Sequence, residues 1–214
     1  YGFFAGPAAR LLGLADAQAD GVLIAGAHAS ARGVALQLKD QGIKTLLVDT
    51  DPYNVTRSIS TGLQARRLSV LAENAPHDLD LRGLGRLLAF TSNDEVNALA
   101  TARFARVFGR REVFQLTPSK RRSGEQAVPT EYLGRQIGIG GLTYATVDER
   151  QRQGWKVRTT PVGEVLEAAV TDELFVPMIR VVDHQVAFLC RNDALPVEGV
   201  VIGIAAPPFQ RELD

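Results

Sequence analysis

The sequence predicts an α/β fold: a doubly wound parallel sheet over residues 21–117, followed by a small mixed or mostly β part over residues 118–214. Three observations carry this. Between residues 21 and 117, short apolar runs alternate with helical stripes at close spacing, the pattern of βαβ units. Beyond residue 117 the helical stripes thin out and strand-like segments follow one another. The composition, 45% hydrophobic and 22% charged in 214 residues, is ordinary for a folded chain and supports a sizeable core.

The elements follow in order. Val22-Leu23-Ile24-Ala25 is apolar throughout and ends at Gly26, as a strand buried on both faces reads. Ala31, Val34, Ala35 and Leu38 recur at helical spacing, and Gly42 ends that helix. Thr45-Leu46-Leu47-Val48 is the second strand, closed by Asp49. Asp51-Pro52 starts a helix, with Asp51 as N-cap and Pro52 where a missing N–H costs nothing. Leu68-Ser69-Val70-Leu71 is read as the third strand and Leu87-Leu88-Ala89-Phe90 as the fourth. In Ser92-Asn93-Asp94-Glu95 a capping box is expected, with Ser92 as the cap. Val96, Leu99, Ala100, Phe104, Val107 and Phe108 form the next stripe, ending at Gly109, and Val113-Phe114-Gln115-Leu116 is the fifth strand. Right-handed crossovers then place a ligand crevice at the carboxyl ends of the strands.

The second part begins with a polar connector, Thr117 to Gly124, whose cations Lys120, Arg121 and Arg122 fit a solvated loop better than a phosphate site. Gly138-Ile139-Gly140-Gly141 lacks the Lys-Ser/Thr of a P-loop and reads as a flexible link. Thr146-Val147-Asp148-Glu149 is a second capping box. Trp155, Val157 and Thr159 alternate with Lys156 and Arg158 as a one-sided strand. Leu174 to Val182, Val186 to Cys190 and Val200 to Ala206 are three more, with Asp183-His184 as a turn between the first two.

Charge and cysteine exclude several function classes. Basic and acidic residues number 24 each, divided 13 to 11 over residues 1–117 and 11 to 13 thereafter. No basic face or tail is available for nucleic acid or anionic lipid. Cys190 is the only cysteine, so neither an intrachain disulfide nor a cysteine zinc site can form, and its apolar surroundings make it a buried thiol rather than a nucleophile. The three histidines His28, His77 and His184 have no metal-ligand spacing, and no nucleophile elbow is present. The chain begins at Tyr1 and its only methionine is Met178, so it is expected to be a piece of a longer protein. Residues 1–14, apolar but short, read either as a linker or as the exit of a membrane helix.

The chemistry-bearing segment is the first strand–turn–helix, Gly26-Ala27-His28-Ala29-Ser30-Ala31. A dinucleotide fingerprint places glycine at the tight turn, at the approach to the pyrophosphate and at the helix–strand contact. Only Gly26 is kept; His28 stands at the second place and Ala31 at the third. The helix start still offers free N–H groups to a phosphate. Asp49 follows Gly26 by 23 residues, where a carboxylate can accept from both hydroxyls of a ribose or be a solvated turn residue. Thr91, Ser92 and Asn93 end the fourth strand, as helix caps or as ligand contacts.

Three segments carry a family resemblance: Val22 to Ala27, Thr45 to Thr50, and Leu79 to Asn97, of which Asn93-Asp94-Glu95-Val96-Asn97 is the most specific. They resemble the Rossmann-like RCK (Trk-type N-terminal) domain, in the form found at the cytoplasmic end of bacterial sodium or potassium/proton antiporters. The resemblance covers residues 21–117, with residues 1–20 as a linker after a membrane segment; Leu174-Phe175-Val176-Pro177 and the last strand are loosely similar to the β region that follows in such proteins. It implies a non-enzymatic regulatory domain that binds an adenine nucleotide (NAD, NADH, AMP or ATP), forms a homodimer and gates its own transmembrane antiporter domain at the cytoplasmic face of the membrane. By position it implies Gly26, Ala27, His28, Ala29, Ser30, Asp49, Thr50, Ser69, Thr91, Ser92 and Asn93 as ligand-lining residues. The lost glycines, and Leu68-Ser69 where relatives often carry Gly-Asp, keep a mononucleotide or no ligand open. Two other readings stand beside this one: a degenerate module serving only assembly, with the crevice plugged by His28, and an NAD-dependent oxidoreductase or epimerase drawing on Tyr132, Tyr144 or Lys156.

Overall fold

The structure is a computed structural model that describes residues 19–119 and 133–209. Two sheets organise it. The first has six parallel strands: β1 (Gly21–Ala25), β2 (Thr45–Asp49), β3 (Ala65–Arg67), β4 (Leu84–Ala89), β5 (Val113–Gln115) and β6 (Arg135–Gln136), in the order β3-β2-β1-β4-β5-β6. That is the doubly wound order, with its reversal between β1 and β4. The second sheet is antiparallel: β7 (Lys156–Pro161), β8 (Phe175–Val182), β9 (Gln185–Phe188) and β10 (Val200–Ala205), in the order β7-β10-β8-β9. The predicted fold class, α/β followed by a small β-rich part, is the observed one.

The continuous apolar run of β1 has its expected cause. Val22 and Ile24 face one layer and Leu23 and Ala25 the other, and all four are buried. On the first face lies α1 (Ala29–Asp40), whose Ala31, Val34, Ala35 and Leu38 share one core with Val157, Ile202 and Ile204 of the second sheet. The crossing is close: a Cβ on Gly33 would lie 2.9 Å from a Val157 methyl. On the opposite face, α4 (Asp94–Phe108) buries Ala100 and Phe104 against Leu23, Leu87 and Ala89. The connections α2 (Pro52–Ser60) and α3 (Ala75–Asp78) complete this half. Beyond it, α5 (Tyr144–Arg152) precedes β7, and α6 (Glu164–Thr171) lies against the far face of the second sheet. Among the described residues no helix is long and apolar enough to cross a membrane.

Several local expectations are corrected. The third strand is Ala65–Arg67, not residues 68–71. It is the edge strand, where exposed Arg66 and Arg67 suit the ladder, while Val70 folds inward to the core. A sixth strand, Arg135–Gln136, joins the first sheet by backbone pairing with Phe114 and Gln115; two polar residues carry no periodicity to read. The cap of α4 is Asn93, which accepts from the N–H groups of Glu95 and Val96, rather than Ser92. The cap of α5 is Thr143, one turn before the expected Thr146, whose N–H it accepts. Gly138 to Gly141 is a pinned turn: Gly138, Ile139 and Gly140 donate to the carbonyls of Leu189, Pro177 and Arg191. Residues 1–14, Lys120-Arg121-Arg122 and Tyr132 lie outside the described residues.

Other expectations hold. Asp51 caps α2 by accepting from Tyr53 N–H, with Pro52 in the first turn. Asp183 and His184 both take left-handed conformations, φ 48° and 63°, as a two-residue hairpin between β8 and β9 requires. The His184 ring then hydrogen-bonds the Gln41 carbonyl at 3.0 Å, docking this turn on the end of α1.

Candidate functional site

The candidate site lies at the carboxyl ends of β1, β2 and β4, where the strand order reverses. Gly26 makes the first turn. Its φ of 108° is a glycine conformation, and a Cβ there would stand 2.4 Å from the Phe90 carbonyl oxygen. The turn is held on both sides: Gly26 N–H donates to Val48 O and Phe90 N–H to Ala25 O, each at 2.8 Å.

Asp49 ends β2 and faces this turn. Its Oδ2 accepts from Ala27 N–H at 2.8 Å and from the Asn54 amide at 3.1 Å; its Oδ1 accepts from Asp51 N–H at 2.9 Å. A carboxylate has about four acceptor positions, so three protein donors leave room for about one more. The carboxylate expected to face both hydroxyls of a ribose is thus one that the protein itself already holds by three donors.

Thr91 leaves β4 and is locked by Asn97, which is 1% exposed. The Asn97 Oδ1 accepts from Thr91 N–H and from Thr91 Oγ1 at 2.9 and 2.8 Å, and its amide donates to Thr91 O at 3.0 Å. With the Asn93 cap, the Asn93–Asn97 segment is thus a staple fixing the angle between β4 and α4.

His28 is the most distinctive group. It is the N-cap residue of α1 but gives that helix no side-chain cap. Its Nε2–H instead donates to the Phe90 carbonyl at 2.7 Å. Edge-on contacts hold the ring, Phe90 at 4.9 Å and Tyr144 at 5.2 Å between centroids. Burial pushes the imidazole pKa down from 6.5, against the opposing pull of the Phe90 carbonyl and Asp49, so the ring is neutral at pH 7. Burial, and then the nearby Asp148, pushes the Tyr144 phenol up.

The resulting cleft holds about 300 Å³. Gly26, His28, Asp49, Thr50, Ser69, Thr91, Ser92 and Asn93 line it, so eight of the eleven expected residues converge. Ala27 does not: it is fully buried and contributes only its N–H to Asp49. Ala29 and Ser30 face a separate groove between α1 and β7, where Ser30 Oγ donates to Gln151 Oε1 at 2.8 Å. Each step at a helix start swings the side chain by about 100°, which carries these two away from the cleft. Asn54, Val70 and Leu71 line the cleft and were not anticipated, and Tyr144, named above only for the oxidoreductase reading, lines it too. Asn54 sits one turn after the Asp51 cap, a spacing that signals it; Tyr144 arrives by tertiary packing and has no local signal. Lys156 lies in the α1–β7 groove, apart from Tyr144. No group of three His, Cys, Asp or Glu among the described residues could hold a metal ion.

No family model matches the chain, and no curated protein matches it. Solved structures do. The NAD(P)-binding domain of an exopolyphosphatase-related protein from Archaeoglobus fulgidus is similar at 20% identity and a TM-score of 0.46, over 62% of this chain and 94% of that one. The GsuK RCK domain is similar at 13% identity and a TM-score of 0.44, over 92% of this chain and 46% of that one. The GsuK channel bound to NAD is similar at 11% identity and a TM-score of 0.46, over 91% of this chain and 38% of that one. The chain thus spans less than half the length of either GsuK chain. The strand order β3-β2-β1-β4-β5-β6, rather than these likenesses, identifies the first sheet as Rossmann-like.

Proposed function

We propose that this chain is a non-enzymatic regulatory module that binds an adenine nucleotide at the carboxyl-end cleft and gates a monovalent cation/proton antiporter at the cytoplasmic face of a membrane, acting as a homodimer. The observation that carries the binding part is the convergence of the Gly26 turn, Asp49 and Thr91–Asn93 on one cleft. The α1 start, without a side-chain cap, offers N–H groups to a phosphate; Asp49 and Asn54 offer an acceptor and a donor to a ribose; Leu68, Val70 and Leu71 offer an apolar wall to a base. The transport context is supported by the resemblance of Leu79 to Asn97 to RCK segments. A ligand regulates only if it favours one arrangement of the attached parts over another.

Calorimetric titration of the folded chain with NAD, NADH, AMP and ATP tests the binding part. Saturable binding with one of them is expected, at least tenfold weaker in Asp49→Ala. Absence of binding with all four overturns it. One observation favours the assembly-only reading: the His28 bond to the Phe90 carbonyl fills part of the cleft. That reading expects an oligomer indifferent to both nucleotide and Asp49→Ala, measured by gel filtration.

A further inference from the structure

A doubly wound sheet binds a dinucleotide across its two halves, one nucleotide on each side of the reversal point. Here the two sides are unlike. On the β1–β2–β3 side, the strand ends open onto the cleft through Asp49, Thr50, Ser69, Val70 and Leu71. On the other side Thr91–Asn93 after β4 still line the cleft, but past β5 and β6 the chain covers its own strand ends. Thr117 N–H, just past β5, donates to Leu142 O at 2.9 Å. Leu116, Ile137 and Leu142 are fully buried there. The same segment runs on into α5, whose first residue, Tyr144, rests against His28. The His28 ring itself spans the reversal point, bonded from the turn after β1 to the carbonyl after β4.

We infer that the site accepts a single adenine nucleotide and rejects a dinucleotide, with His28 as the residue that sets this limit. The inference rests on the nucleotide-binding reading above. Three features agree. A second nucleotide would cross His28, held by one hydrogen bond and two ring contacts. It would then meet Leu142–Tyr144 in place of open strand ends. The volume of about 300 Å³ is at the lower end of the range for small-molecule sites, about 300–1,000 Å³.

Calorimetry with AMP and with NAD, on the unaltered chain and on His28→Gly, tests this. Glycine is a good N-cap, so the variant is expected to keep α1; a thermal melt checks the fold. The unaltered chain is expected to bind AMP at least tenfold more tightly than NAD. In His28→Gly the ratio of NAD affinity to AMP affinity is expected to rise at least tenfold. Equal affinities in the unaltered chain, or an unchanged ratio in a folded His28→Gly, overturn the size limit and leave the nucleotide site standing. Binding of neither ligand overturns both.

Discussion

Both ends of the first sheet carry a cleft, and the larger of these two is the less informative. At the amino ends of β4 and β5, between the sheets, a cleft of about 390 Å³ receives Arg86, Arg135 and Arg180. It has the size and the cations of an anion site. Yet Arg86 is spent: its Nε and Nη1 meet Glu112 and Asp20 at 3.1 and 2.9 Å, with its side chain 11% exposed. The cleft itself sets Glu112 and Asp193 beside its three guanidiniums, and from an adjoining groove Asp20 and Glu198 face Arg86 and Arg180 at 2.9 and 3.9 Å. At the carboxyl ends the cleft is smaller, with fewer charges, but Asp49 and the α1 start keep capacity to spare. The contrast lies in what is already paired: Arg86 at one end has its carboxylates, whereas Asp49 at the other has room for about one more donor.

Substitutions at each end sharpen the contrast. The largest effect is expected from Gly26→Ala, which forces a Cβ onto the Phe90 carbonyl at an unfavourable φ. About 3 kcal/mol of destabilisation is expected in urea unfolding, with loss of nucleotide binding. Arg86→Ala, at the other end, strands Asp20 and Glu112. These are 25% and 40% exposed and regain water, so about 2 kcal/mol is expected, below the cost of breaking a fully buried pair. Its AMP affinity, by calorimetry, should stay within twofold. An Arg86→Ala variant that folds but loses AMP would break the assignment of the two ends. Asp49→Asn presents one acceptor oxygen to donors that now use two. About 1 kcal/mol of stability and at least tenfold in AMP affinity are expected to go, seen by unfolding and titration.

The smallest effect is pH dependence from His28. Its folded pKa lies below the ordinary 6.5, so the unfolded chain binds the proton first as pH falls. Its contribution to stability is whole above pH 6.5 and is lost as pH drops through 6.5 to the folded pKa. His28→Asn should show a flatter stability curve between pH 7 and 5 than the unaltered chain; identical curves would place His28 outside the burial described.

The first half was legible because its signals are local and redundant. Buried parallel strands such as Val22 to Ala25 need apolar side chains on both faces, and Asp51-Pro52 or Gly26 answer to backbone geometry alone. The limits are equally physical. The edge strand Ala65–Arg67 and the two-residue β6 are held by backbone bonds that side-chain pattern does not report. In the cleft, the placement of Asp49 and Thr91–Asn93 was legible because strand ends are fixed by the fold. The Ser30 side chain turns into the neighbouring groove by a helical rotation, and Tyr144, which had no local signal for a place beside His28, reaches it across 116 residues of chain.

The central claim, that ligand recognition resides at the carboxyl ends of the first sheet, is tested most directly by amide hydrogen exchange with and without saturating AMP. The account predicts slowed exchange at Ala29, Ser30 and Thr91–Asn93, with Arg135, Arg180 and Ala187 unchanged. Slowed exchange at the amino-end cleft instead, or no change at Ala29 and Ser30, would contradict it.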